Sequence, residues 1–214
     1  MTTIHCISGI GTDERIFHRL NITGVILKHV KWVEPDKHDT IASYAQKLLP
    51  QITEEQPVLL GVSFGGMLAV EMSKLIPVRK LILISSSKTR FEIPFYYRWY
   101  GKLGLYHLIS PRLLKWHNRL SNVVFSLKSR EEKELLNTIL RDTDPKFLKW
   151  AVKAICNWKN EEEPVSVAHI HGKADKMLPA KYVQADHWLE KAGHFMIHNR
   201  AEEISRFVKD ALEY

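Results

Sequence analysis

A chain of 214 residues that is 45% hydrophobic and 26% charged buries one sizeable core, and fits a single domain better than two. Its two cysteines exclude a disulfide scaffold or a cysteine-rich metal site, and no stretch approaches the roughly 18 unbroken apolar residues of a membrane span. The opening MTTIHCISG lacks the basic head and apolar core of a signal peptide, so a soluble, cytoplasmic protein is expected.

Taken in order, short apolar runs alternate with helical ones. Thr2 to Ser8 reads as a strand, Asp13 to Leu20 as a short helical pattern, and Val25 to Val33 as a second strand. From Asp39 to Ile52 apolar residues fall at Ile41, Tyr44, Ala45, Leu48, Leu49 and Ile52, the stripe of an amphipathic helix, with Asp39 or Thr40 as its cap. Pro57 to Val62 is a buried strand, Gly65 to Leu75 a helix and Arg79 to Ser85 a third apolar strand ending in three serines. This alternation is the grammar of a parallel sheet.

After Ser87 the pattern turns helical. Ser110-Pro111 and Ser129-x-x-Glu132 are helix starts, and Pro145 opens a helix reaching Trp158. On that helix Leu148, Ala151, Val152 and Ile155 make one stripe, and Phe147, Trp150, Ala154 and Trp158 another. The insert is basic and aromatic. From Lys88 to Asn160 it holds fifteen Lys and Arg against six Asp and Glu, and twelve of the 21 Phe, Trp and Tyr, Trp116 among them; the charge of the whole chain is only +7. Sheet grammar resumes at Val165 to His171, continues near Asp186 to Glu190, and closes with a helix striped by Ile204, Phe207, Val208, Ala211 and Leu212.

Gly61-Val62-Ser63-Phe64-Gly65 falls where a strand ends and a helix begins, at the carboxyl edge of the sheet, where open α/β folds carry their sites. Gly-x-Ser-x-Gly in that context is a nucleophile elbow: the serine rides a tight turn, and glycines two residues away on each side let strand and helix approach. A serine needs a base and an orienting acid. Of eleven histidines, His194 in Lys191-Ala192-Gly193-His194-Phe195 directly follows the last strand, whereas His5, His169 and His171 lie inside strand patterns. Asp175, in His171-Gly172-Lys173-Ala174-Asp175, follows another strand end; Asp186 is the weaker rival.

The order Ser63, Asp175, His194, carried by GVSFGG, HGKADKMLP and AGHF, resembles the alpha/beta-hydrolase superfamily, a small esterase-like member with a helical cap. The resemblance implies an alpha/beta-hydrolase fold with an open, mainly parallel sheet of about six strands. This chain lacks the antiparallel pair with which family members commonly begin. Residues 1–87 and 161–214 would form the core and residues 88–160 a cap inserted before the Asp-bearing strand. It also implies an oxyanion hole from the backbone N–H groups of Ile10 and Phe64, with Ser8 standing where the family carries histidine. A rival, the dinucleotide fingerprint, founders on Glu14 at its third glycine position.

The expected activity is hydrolysis of a carboxylic ester through an acyl-enzyme, with no metal or organic cofactor required. Acyl-CoA or acyl-carrier-protein thioester cleavage is the alternative, the basic cap meeting an acidic carrier or CoA ester, and a non-catalytic ligand-binding protein is the alternative of another class. No nucleic-acid partner is expected. Phe91, Phe95, Trp99, Trp150 and Met177 are expected to line the substrate pocket.

Overall fold

The computed structural model describes residues 1–104 and 119–213, without the side chains of residues 119–121. Ser110-Pro111 and Trp116 lie outside the described residues. Six strands form one sheet: β1 (Thr2–Ile7), β2 (Val25–His29), β3 (Val58–Val62), β4 (Lys80–Ile84), β5 (Val167–Gly172) and β6 (His187–Leu189). Their order is β2-β1-β3-β4-β5-β6 and every pairing is parallel. The antiparallel pair is absent among the described residues, as the sequence indicates, because Thr2 already pairs with Val25.

The order reverses at β1, from which the chain winds one way to β2 and the other way through β3 to β6. Loops leaving β1 and β3 therefore diverge and open a crevice at their carboxyl ends. Both sheet faces are covered, so β3 is buried along its length and reads Val-Leu-Leu-Gly-Val rather than alternating.

On one face Ile4, Leu60, Ile82 and Ile170 pack with Ile204 and Val208 of α8 (Ala201–Glu213), which follows the short α7 (Met196–Asn199). On the other, Leu59, Leu81 and Leu83 meet α1 (Ile41–Leu48) and α2 (Phe64–Ser73). Of the two cap candidates, Thr40 takes the role: its hydroxyl accepts from Ser43 N–H, and the Ser43 hydroxyl accepts from Thr40 N–H. Asp39 instead pairs with Lys47 at 2.6 Å. The pattern from Asp13 to Leu20 yields only a 3₁₀ turn, Glu14–Phe17.

Between β4 and β5 the described elements are all helical: α3 (Phe95–Lys102), α4 (Arg119–Val124), α5 (Arg130–Asp142) and α6 (Pro145–Cys156). Ser129 caps α5 by accepting from Glu132 N–H, while the Glu132 carboxylate reaches back to Lys128 N–H. The two-stripe reading of α6 needs correction. Leu148 alone joins the first core, whereas Ala151 and Ile155 pack with Phe147, Trp150, Ala154 and Trp158 against the second. The insert is thus rooted in the sheet's own cores. Trp158 Nε1 donates to Glu71 Oε1 of α2 at 2.6 Å, and Trp150 Nε1 to the Asp39 carbonyl at 3.0 Å. Losing either indole would cost about 3–5 kcal/mol of packing.

Candidate active site

Ser63 directly follows β3 and caps α2 with φ 53° and ψ −120°, a conformation that L-residues occupy only when their surroundings impose it. Those surroundings are backbone. A Cβ on Gly65 would collide with the carbonyl oxygens of Ile7 and Ser8, and one on Gly61 with the Gly66 Cα. The strand, the turn and the neighbouring β1 loop are thus in direct main-chain contact. Ser63 N–H donates to the Ile84 carbonyl at 3.0 Å, and Ser86 Oγ donates to the Ser63 carbonyl at 2.6 Å, so β4 grips the turn from its other side.

His194 and Asp175 come to this turn from loops at the same edge. His194 Nε2 lies 2.8 Å from Ser63 Oγ, and its Nδ1 lies 2.7 Å from Asp175 Oδ2. An ionised carboxylate only accepts, so Nδ1 carries the ring proton and Nε2 is left to accept from the serine. All three residues are more than nine-tenths buried. The second oxygen of Asp175 accepts from Met177 N–H at 2.8 Å and Leu178 N–H at 2.9 Å. Burial works to raise the Asp175 pKa, but His194, His171 and the Leu178 N–H outweigh it and hold the carboxyl below its ordinary range. His171 Nε2–H donates to the Leu178 carbonyl at 2.9 Å and sits 3.4 Å from Asp175 Oδ2, bracing the acid loop. Burial, foremost, keeps His171 below its usual pKa. Asp186, the rival acid, is occupied in accepting from His169 N–H.

Opposite the serine runs the loop after β1. Ser8 Oγ donates to the Thr12 carbonyl at 2.9 Å, Thr12 Oγ1 to the Gly9 carbonyl at 2.9 Å, and Trp32 Nε1 to the same Thr12 carbonyl at 3.1 Å. Ser8 therefore anchors this loop from within. Among the described residues neither Ile10 N–H nor Phe64 N–H is engaged by a protein acceptor, and Phe64, the first helical residue, has no partner inside its helix. A cleft of about 20 Å³ beside Ser63 is bounded by Gly9, Ile10, Phe125, His194 and Phe195.

None of the residues expected to line the substrate pocket borders this cleft. Phe91, Phe95 and Trp99 are exposed, and Trp150 is buried between Tyr44 and Phe64, ring centroids 4.4 and 5.9 Å away. Met177 belongs to the acid loop through its backbone. Helical periodicity marked these side chains as apolar but could not say which way each helix would face. Phe125, whose ring stands edge-on to His194 at 6.1 Å, carried no sequence signal, since its position depends on a fold-back of nearly 70 residues. Among the described residues no group of three or more His, Cys, Asp or Glu side chains is arranged to hold a metal ion, and no helix is long and apolar enough to cross a membrane.

The family described as "Alpha/beta hydrolase family" matches residues 24–207. The chain belongs to the alpha/beta hydrolase family. No curated protein matches this hydrolase. Among solved structures, an esterase from Exiguobacterium antarcticum superposes with a TM-score of 0.71 at 16% identity, covering 100% of this chain and 92% of that one. The enol-lactonase from Burkholderia xenovorans LB400 gives 0.70 at 15% identity, with coverage of 100% and 92%. A lipase-esterase related protein from Clostridium acetobutylicum gives 0.68 at 19% identity, with coverage of 98% and 93%. At these identities the likeness establishes the shared fold of the hydrolase, and its chemistry rests on its own residues.

Proposed function

We propose that this hydrolase cleaves a carboxylic ester through an acyl-enzyme on Ser63. The observation that carries the reading is the unbroken hydrogen-bonded path from Ser63 Oγ through His194 to Asp175, buried at the head of a strained turn. The Ser63 oxygen attacks the ester carbonyl carbon as its proton passes to His194 Nε2. Asp175 holds the ring in the tautomer that leaves Nε2 free, and stabilises the imidazolium that forms. Negative charge on the former carbonyl oxygen is met by Ile10 N–H and Phe64 N–H, which have no protein acceptor among the described residues.

Collapse of the tetrahedral intermediate breaks the bond to the leaving alcohol, which takes the proton from His194. Water then attacks the acyl-serine, giving up its proton to His194, and the second collapse releases the acid and restores Ser63. Residues 88–160 act as the cap, with Phe125 walling the cleft over the histidine. That an esterase and a lactonase are among the solved structures of the same fold favours an oxygen ester over other acyl bonds. No feature of the described site selects a thioester, so acyl carriers and CoA esters remain outside the reading.

The test is labelling by a fluorophosphonate probe together with hydrolysis of nitrophenyl esters. Wild type should label and turn over, and Ser63→Ala should do neither, with kcat falling by about 10⁴-fold or more. Hydrolysis by Ser63→Ala at a near wild-type rate would overturn the assignment.

A further inference from the structure

Helix α3 faces the wrong way for a helix of a globular core. Phe95, Trp99 and Leu103, spaced by four along one side, are 54%, 59% and 64% exposed, with Tyr96 and Phe91 beside them. Contiguous large apolar side chains on a surface mark an interaction site. The opposite side is fixed in place. A Cβ at Gly101 would strike the Cys156 carbonyl of α6, and Tyr97 packs into the second core, so α3 cannot roll to bury its aromatic side.

Basic groups flank this face. Arg98, Lys102 and Lys159, with Phe95 and Trp99, line a cleft of about 290 Å³ between α3 and the end of α6. Among the described residues none of the three makes an ion pair, and the Lys102 ammonium lies 5.9 Å from the Trp99 ring centroid. Arg90 at the rim is paired with Glu161. The described residues that line the cleft include no carboxylate.

Exposed Phe, Tyr and Trp rings beside cations that make no ion pair among the described residues are the two ingredients of interfacial adsorption: rings settle at the headgroup level and cations are drawn to anionic lipid. We propose that the α3 face docks this protein on an anionic lipid bilayer, Phe95 and Trp99 entering the interface and the cleft taking a headgroup phosphate. A second copy of the chain suits the face less well, because its like charges would be brought together at the contact.

Lipid docking through α3 is independent of catalysis and is tested without it. The purified protein is sedimented with vesicles of phosphatidylcholine plus phosphatidylglycerol, and with pure phosphatidylcholine. Wild type should bind the mixed vesicles, bind them less as salt rises, and bind the neutral ones poorly. Arg98→Gln/Lys102→Gln should weaken binding to mixed vesicles by about 25-fold, roughly fivefold per cation. Phe95→Ser/Trp99→Ser should weaken it by about tenfold or more through lost apolar area. These side chains lie at the surface, and unchanged thermal melting would show that each variant is folded. Absence of wild-type binding, equal binding to both vesicle types, or binding that both double variants retain would overturn the proposal. So would a wild-type dimer that Trp99→Ser converts to monomer and that ignores vesicles.

Discussion

The Ser86 hydroxyl donates a 2.6 Å hydrogen bond to the Ser63 carbonyl, tying the end of β4 to the turn that presents the serine. That carbonyl also accepts from Gly66 N–H at 2.9 Å, so Ser86→Ala leaves no orphaned acceptor. The variant should lose only about 1 kcal/mol of stability in urea unfolding. Its ester turnover should fall further, by about tenfold, because the turn loses a lateral restraint and small misplacements of a nucleophile are costly. Unchanged kcat would make Ser86 a packing residue alone.

Asp175→Asn keeps an oxygen able to accept from Met177 and Leu178 N–H, so the loop should hold and the melting temperature move little. Loss of the charge beside Nδ1 removes the preference for the reactive tautomer. Turnover should drop by about 10⁴-fold. A drop under tenfold would show that the carboxylate does not orient His194.

Two glycines separate space from conformation. Gly65→Ala drives a methyl into the backbone oxygens of Ile7 and Ser8, which cannot yield, and should cost about 3 kcal/mol or more. Gly24 has φ +78° and open space, with nothing within 4 Å of where a methyl would stand, so Gly24→Ala should cost only about 1–2 kcal/mol of backbone strain. Equal losses in chemical denaturation would contradict the close contact at Gly65.

His169 is fully buried, and burial, helped by His171 and Lys88, pushes its pKa down to about 3. The unfolded chain binds this proton below about pH 6.5, its ordinary value, while the folded chain refuses it until near pH 3. Above pH 6.5 both states are neutral here and nothing is lost. As pH falls through the interval, stability should decline by about 1.4 kcal/mol per pH unit from this residue alone. His169→Leu should flatten the decline measured by urea midpoints between those limits, and an unaltered slope would contradict the buried, neutral histidine.

Phe125 closes the small cleft over Ser63 and His194. Phe125→Ala should raise the ratio of octanoyl to acetyl ester hydrolysis by about tenfold, the scale of one or two methylenes gaining a pocket. A constant ratio would place the acyl chain on another side of the serine.

The alternation of strand and helix, the glycines around Ser63 and the order of Ser63, Asp175 and His194 are all visible in the sequence. Each is a local constraint: periodicity follows from which side must be dry, and a strand-to-helix turn this tight admits only glycine at Gly61 and Gly65. The parallel sheet of six strands follows from the same local patterns, since each crossover, whether it carries an α-helix or only a 3₁₀ turn, returns the chain in the same direction.

Folded loop geometry and long-range packing decided the rest. Ser8 reads as a missing histidine until its hydroxyl is found on the Thr12 carbonyl, and Ser86 as one of three serines until it meets Ser63. For the aromatic residues of the insert, sequence determined that the rings exist, but tertiary structure decided their direction. Trp150 turned into the core because Tyr44 and Phe64 leave a slot for it, while Phe95 and Trp99 turned outward because Gly101 seats the other side of α3 on Cys156. Hydrophobicity has no direction of its own; the neighbour that occupies the near side supplies it.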